Sequence, residues 1–194
     1  MQLFLFGLAL VSYYALHSAL ANNRVKHILI GKLISKKAYR LFFNFVAIGS
    51  LLAILFFYKN IDAQLFFKNK SLKMVGGFLI ILGLILSVIA LRQYNLAEFI
   101  GTQQYTHVTS PAPEKLKTTG FNSYVRHPLY FATLIILWGF FLFQPTDLVL
   151  TIGVVSSIYI YVGTKLEEEK LIEEFGEAYL EYQKKVGMLL PWVN

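Results

Sequence analysis

Five apolar runs separated by polar stretches set the layout of this 194-residue chain. They cover about residues 3–21, 41–58, 74–91, 129–143 and 148–163. A helix rises 1.5 Å per residue, so about 20 apolar residues cross a hydrocarbon layer about 30 Å thick. The first three runs meet that length. The last two are shorter and need local thinning of the bilayer, or helix that continues past the apolar run. Only Gln144-Pro145-Thr146-Asp147 joins them, which makes them an antiparallel hairpin. Gly76, Gly77 and Gly83 in the third run permit close approach of a neighbouring helix.

The pattern changes after residue 165. Leu171, Phe175, Ala178, Tyr182 and Val186 recur every three or four residues, the spacing of an amphipathic helix. Glu173, Glu174, Glu177 and Glu181 form its polar side, Gly176 is a candidate kink, and Trp192 suits an interface. The expected fold is an all-α integral membrane protein forming a single membrane domain over residues 1–194. It has about five transmembrane helices and a C-terminal amphipathic cytoplasmic helix. The first run ends in Ala19-Leu20-Ala21, which resembles a signal-peptidase site, but Met1-Gln2 gives it no basic lead. It reads as a retained span.

Composition agrees: 56% of residues are hydrophobic and 15% charged, outside the range of ordinary soluble domains. Without cysteine, disulfides, thiolate metal sites and cysteine nucleophiles are excluded. His17, His27, His107 and His127 lack metal-ligand spacing, and no metal is expected. The net charge of +7 is explained by basic loops facing the cytoplasm and anionic lipid, so the expected partner is the bilayer and not nucleic acid. With the tail inside, the inner segments hold fourteen of the eighteen Lys and Arg residues and the 59–73 loop holds four. That places the C-terminus in the cytoplasm.

Candidate chemistry concentrates around Gly120-Phe121-Asn122-Ser123-Tyr124-Val125-Arg126-His127-Pro128-Leu129-Tyr130. Pro128 biases His127 away from helical geometry and suits the first turn of a helix. The positive end of that helix then faces Arg126 and His127, a setting for a carboxylate or phosphate. Glu167 and Glu168 fall within a turn of the end of the last run, and the hairpin brings them beside Arg126 and His127. Carboxylates, cations and a helix N-terminus together suit the two ends of an amino-acid moiety, or equally form an interfacial salt bridge. The polar segment 92–125, with Gln104, Tyr105 and His107, is longer than a simple connection needs. His17 and Ser18 lie in the last turn of the first run, either at the interface or facing a partner.

The order Thr119-Gly120-x-x-x-Tyr124-Val125-Arg126-His127-Pro128-Leu129-Tyr130, then Leu166-Glu167-Glu168-x-x-Leu171-x-x-x-Phe175-Gly176-x-x-Tyr179-x-x-Tyr182-x-x-x-Val186 and Pro191, resembles the membrane methyltransferases related to isoprenylcysteine carboxyl methyltransferase. The resemblance covers about residues 119–193. The first half, with His17-Ser18, Tyr39-Arg40 and Asn44, is similar to a bacterial branch that contains methanethiol S-methyltransferases and nurim-like proteins. The resemblance implies a bacterial inner-membrane enzyme using S-adenosylmethionine on a small thiol or lipophilic acceptor. It implies that His127 and Tyr130, with Glu167 or Glu168, bind the cofactor and that Arg126 orients the site or the substrate; Tyr124 and Gln104 are further cofactor-binding candidates, and a thiol acceptor would need a proton acceptor, His17 or His107. Alternatives are a prenylcysteine-like carboxylate or lipid amine as acceptor, a non-catalytic nurim-like protein, or a sterol reductase, a class with about twice as many spans. No Gly-x-Gly-x-x-Gly follows a strand, so the Rossmann type of methyltransferase is excluded. Gly187 replaces the proline common after the tail valine, and Lys184 and Lys185 stand where arginines are common, which removes a bidentate fork from the tail.

Overall fold

The computed structural model describes residues 1–35, 38–59, 61–92 and 116–191. Among these the chain is helical, with no strand. The helices are α1 (Gln2–Ala21), α2 (Asn23–Lys32), α3 (Tyr39–Lys59), α4 (Lys70–Leu91), α5 (Pro128–Phe143), α6 (Asp147–Phe175) and α7 (Glu177–Lys185). Helices α1, α3, α4 and α6 are long and apolar enough to cross a membrane, and α5 is a shorter apolar helix. Many of their large apolar side chains, such as Phe45, Phe78 and Ile158, are exposed. A water-soluble protein would cover them, and a lipid-facing one has no need to.

The chain forms two compact units, one containing α1 to α3 and the other α4 to α7. In the first, α1 packs on α3, and Phe6 meets Tyr58 with ring centres 6.3 Å apart. The buried Tyr39 hydroxyl donates to the Leu20 carbonyl at 2.6 Å. That carbonyl lies in the last turn of α1, where the helix leaves carbonyls without partners of its own. Helix α2 begins one residue after α1. Asn22 breaks the chain direction in extended geometry, and its side chain caps α2 by accepting from the Arg24 amide.

In the second unit α4 and α5 lie antiparallel along a seam of small residues. Gly76, Gly83 and Ala90 are buried at seven-residue spacing on α4, facing Ala132 and Gly139 on α5. A Cβ on Gly76 would stand 2.4 Å from the Phe143 amide nitrogen, and one on Gly83 would stand 2.5 Å from Ile136 Cγ1. Gly77 is different, since a Cβ there meets only the Phe143 ring at 3.8 Å. Backbones this close exchange many dispersion contacts, the term that remains when lipid replaces water as solvent.

The α5–α6 hairpin turns as the sequence indicates. Thr146 caps α6 through the Val149 amide, and the Asp147 carboxylate accepts from the Gln64 and Leu148 amides. Gln64 and Phe66 pair in return with Asp147 and Pro145 through their backbones, so residues 64–66 are tied to the hairpin tip, which their composition did not suggest. The fifth span does not stop near residue 163. Helix α6 continues unbroken for 29 residues to Phe175, roughly 43 Å of helix, and this extension supplies the length that the apolar run lacks. It ends because Gly176 takes φ +55°, a region that glycine enters at little cost. This break shifts the phase of the tail helix. Ala178, an expected apolar-face position, is exposed, and Tyr179 is buried instead, packing with Tyr182, Val186, Leu171 and Phe175. Trp192 lies outside the described residues.

The seam makes a direct prediction. Gly76→Val forces backbone apart and is expected to destabilise the detergent-solubilised protein by about 2 kcal/mol or more. Gly49→Ala in α3, where a Cβ meets nothing within 4 Å, is expected to be neutral or stabilising by up to about 1 kcal/mol. Thermal unfolding of the two variants beside the parent protein checks both. Equal midpoints for Gly76→Val and the parent would contradict the packing described.

Candidate functional site

The site grows from the start of α5. Gly120, at φ +65°, opens a short 3-10 turn over Gly120–Ser123. Val125 then pairs in parallel with Gly187. Two backbone bonds fix this strap: the Arg126 amide donates to Gly187 at 2.9 Å, and the His127 amide donates to Met188 at 3.2 Å. Pro128 occupies the first turn of α5, and no side chain caps that helix end. Helix α6 brings Glu167 and Glu168 to the same level. Glu168 stands roughly 31 Å along α6, about the thickness of the hydrocarbon layer.

Arg126 and Glu168 form the centre. Both side chains are buried, at 7% and 5% exposure, with the Arg126 Nε 2.6 Å from the Glu168 Oε1. The guanidinium also donates to the carbonyls of Gln183, at 3.1 Å, and Val186. Glu168 accepts further from the Tyr179 hydroxyl at 3.2 Å and the Gln183 side-chain amide at 3.1 Å. A buried ion pair holds only when its remaining polar groups find partners, and here Nε and Nη1 of Arg126 and both carboxylate oxygens of Glu168 have them. Burial, with the Glu168 carboxylate close by, pushes the Tyr179 phenol above its ordinary pKa, so this hydroxyl stays a donor. The loop is tied once more, because the Tyr182 hydroxyl donates to the Asn122 carbonyl and the Asn122 side chain donates to the Arg126 carbonyl.

His127 sits against this centre and is 94% buried by the same measure, with 6% of it exposed. Its ring stacks on Tyr130, with centres 5.7 Å apart and planes 17° from parallel. Nδ1 lies 3.8 Å from the Glu167 carboxylate, whose side chain is 44% exposed. Nε2 comes within 3.4 Å of Glu168, yet it is buried with no hydrogen-bond partner among the described residues. A polar atom left this way costs on the order of 1–3 kcal/mol, and a ligand group would relieve that cost.

Of the residues singled out by sequence, the fold brings Arg126, His127, Tyr130, Glu167 and Glu168 together. Tyr124, exposed, stands just before the strap. Gln104 and His107 lie outside the described residues. His17 belongs to the first unit, where its ring lies 5.0 Å from Phe43 and 6.3 Å from Tyr13. Tyr179 and Gln183 were not singled out as site residues. Tyr179 is part of the quoted tail motif, but its partner is visible only once the break at Gly176 has set the phase.

These features define an all-helical integral membrane protein with a polar, partly closed site at one end of a helical hairpin. Residues 7–186 match the family described as "Protein of unknown function (DUF1295)", and the chain belongs to that family. It is 36% identical over 101 residues to methanethiol S-methyltransferase 1 of Bradyrhizobium diazoefficiens, covering 50% of this chain and 35% of the relative. It is 29% identical over 198 residues to the methanethiol S-methyltransferase of Crocosphaera subtropica, covering 98% of this chain and 75% of that relative. Similarity to the protein-S-isoprenylcysteine O-methyltransferase of Saccharomyces cerevisiae runs over 125 residues at 29% identity, 58% of this chain and 49% of the relative. The chain thus spans about a third of the Bradyrhizobium relative and three quarters of the Crocosphaera one. No solved structure matches it. The resemblance to isoprenylcysteine carboxyl methyltransferase-like proteins agrees with these relatives.

The geometry separates two kinds of substitution. Arg126→Met leaves the Glu168 carboxylate buried without its cation and is expected to destabilise the protein by about 3–5 kcal/mol. Adding Glu168→Leu to it is expected to recover part of that loss. Thermal unfolding of the single and double variants measures both. A single variant as stable as the parent would refute the central role of the pair.

Proposed function

We propose that the protein is a membrane methyltransferase that uses S-adenosylmethionine and acts on a small thiol or lipophilic acceptor. One observation carries the reading: the buried His127 at the uncapped start of α5, whose Nε2 makes no hydrogen bond among the described residues and whose Nδ1 lies 3.8 Å from the half-exposed Glu167 carboxylate. The amino-acid end of the cofactor carries a carboxylate and an ammonium. A helix N-terminus and an imidazole donor suit the first, and the Glu167 carboxylate suits the second. When bound, that group supplies an electrophilic methyl on a sulfonium. The names of the relatives support the same activity class.

The residues divide their work. His127 and Glu167 bind, Tyr130 holds the His127 ring by stacking on it, and Tyr124 is proposed to contact the cofactor. Glu168 and Arg126 act as positioning residues. Every hydrogen bond described for the Arg126 side chain goes to Glu168 or to backbone carbonyls, which suits a group that fixes the loop better than one that meets a substrate. Alignment and exclusion of water are what a protein adds to such a displacement. A thiol acceptor, with a reference pKa near 8.5, needs a proton acceptor. A carboxylate acceptor needs none. The yeast relative favours the latter as second reading, with a prenylcysteine-like carboxylate as substrate. The proposed setting is a bacterial inner membrane with the C-terminus in the cytoplasm.

Calorimetric titration with S-adenosylhomocysteine tests the reading, with a reduced nicotinamide as comparison. Binding of the first alone is expected. His127→Ala and Glu167→Ala are each expected to weaken it by about tenfold or more while unfolding at the parent's temperature. Undiminished binding in both variants would overturn the site, and preference for the nicotinamide would overturn the activity. A screen of small thiols against prenylated cysteine then separates the two acceptors.

A further inference from the structure

Helix α2 carries a feature that the proposed chemistry does not use. Helix α1 ends at Ala21 and α2 starts at Asn23, with Asn22 alone between them. Since α1 is a 20-residue helix apolar enough to span, α2 has no chain in which to leave the membrane surface. Its open face sets an apolar residue between two cations. Ile28 is 58% exposed and lies one turn from Arg24 on one side and from Lys32 on the other, both exposed, because residues four apart stack on a helix. Leu33, exposed at 78%, is a second exposed apolar residue just past the end of α2. Residues 1–58 contain six Lys and Arg residues and no Asp or Glu, so the cations of α2 have no carboxylate close in sequence.

Water alone is a poor environment for this face. A bilayer surface answers both parts of it: acyl chains below the headgroups cover Ile28 and Leu33, and lipid phosphates meet Arg24 and Lys32, whose aliphatic stems reach outward. Nucleic acid would match the cations and leave Ile28 and Leu33 in water. We propose that α2 is an interfacial helix that lies in the membrane plane and binds anionic phospholipid headgroups. The inference does not depend on the catalytic reading.

The cysteine-free chain allows a clean test, because an introduced thiol is the only one present. Ile28→Cys and His27→Cys, the latter more than a quarter turn round the helix, are reconstituted in nanodiscs and reacted with a charged maleimide. In discs containing phosphatidylglycerol, Ile28→Cys is expected to react about tenfold more slowly than His27→Cys, with a smaller gap in discs of phosphatidylcholine alone. In mixed micelles, wild-type protein is expected to retain phosphatidylglycerol over phosphatidylcholine in native mass spectra. The Arg24→Gln/Lys32→Gln variant is expected to lose about fivefold of that preference per cation removed. Equal labelling rates in phosphatidylglycerol discs, or a lipid preference unchanged in the double variant, would overturn the proposal. So would protection of Ile28→Cys by added RNA or an acidic peptide and not by phosphatidylglycerol.

Discussion

The buried pairing of Arg126 with Glu168 is the interaction on which the second unit's polar end depends. One guanidinium joins the loop before α5, the extension of α6, the end of α7 and the residue after it. Two opposite charges removed from water are stabilising as a pair only if every remaining donor and acceptor is used, and Tyr179 and Gln183 complete that requirement on the Glu168 side. Because the pair consumes its own members, the chemistry proposed here falls to their neighbours. Glu167 and His127, one residue along in each case, are the groups that retain capacity for a ligand.

The membrane part is held by different means. Apolar side chains gain nothing by leaving lipid for one another, so α4 and α5 associate through backbone proximity at Gly76, Gly83 and Gly139. The polar end cannot use that device, since it lies at the level where water competes for hydrogen bonds. It relies on charge, burial and the strap between Val125 and Gly187. The two strategies meet within α5, whose first residue, Pro128, borders the polar site and whose later turns carry the seam.

Much of this was legible in the sequence. The apolar runs gave the five helices, because length and hydropathy act locally, and Arg126-His127-Pro128 gave the start of α5, because proline restricts its own and the preceding residue. The hairpin placed Glu167 and Glu168 near Arg126. What the sequence could not assign was which carboxylate turns inward, because adjacent helical residues point about 100° apart and the absolute phase is set by packing. The tail helix failed at Ala178 for a similar cause: a continuous period was read across Gly176, where a left-handed residue resets it. The contacts from Gln64 and Phe66 to the hairpin tip are backbone pairings between distant segments, and side-chain pattern carries no record of them.

The Arg126 hydrogen bonds also set an order of assembly. The carbonyl of Val186 that receives its guanidinium is 60 residues further along the chain. At about 5–20 residues per second, synthesis takes roughly 3–12 s to reach it after Arg126 has been made. Over that interval the Arg126 guanidinium lacks its full set of acceptors. The polar end therefore closes only once the residues that follow α7 have been made, since its cation is near the middle of the second unit and its last acceptor is near the end of the chain.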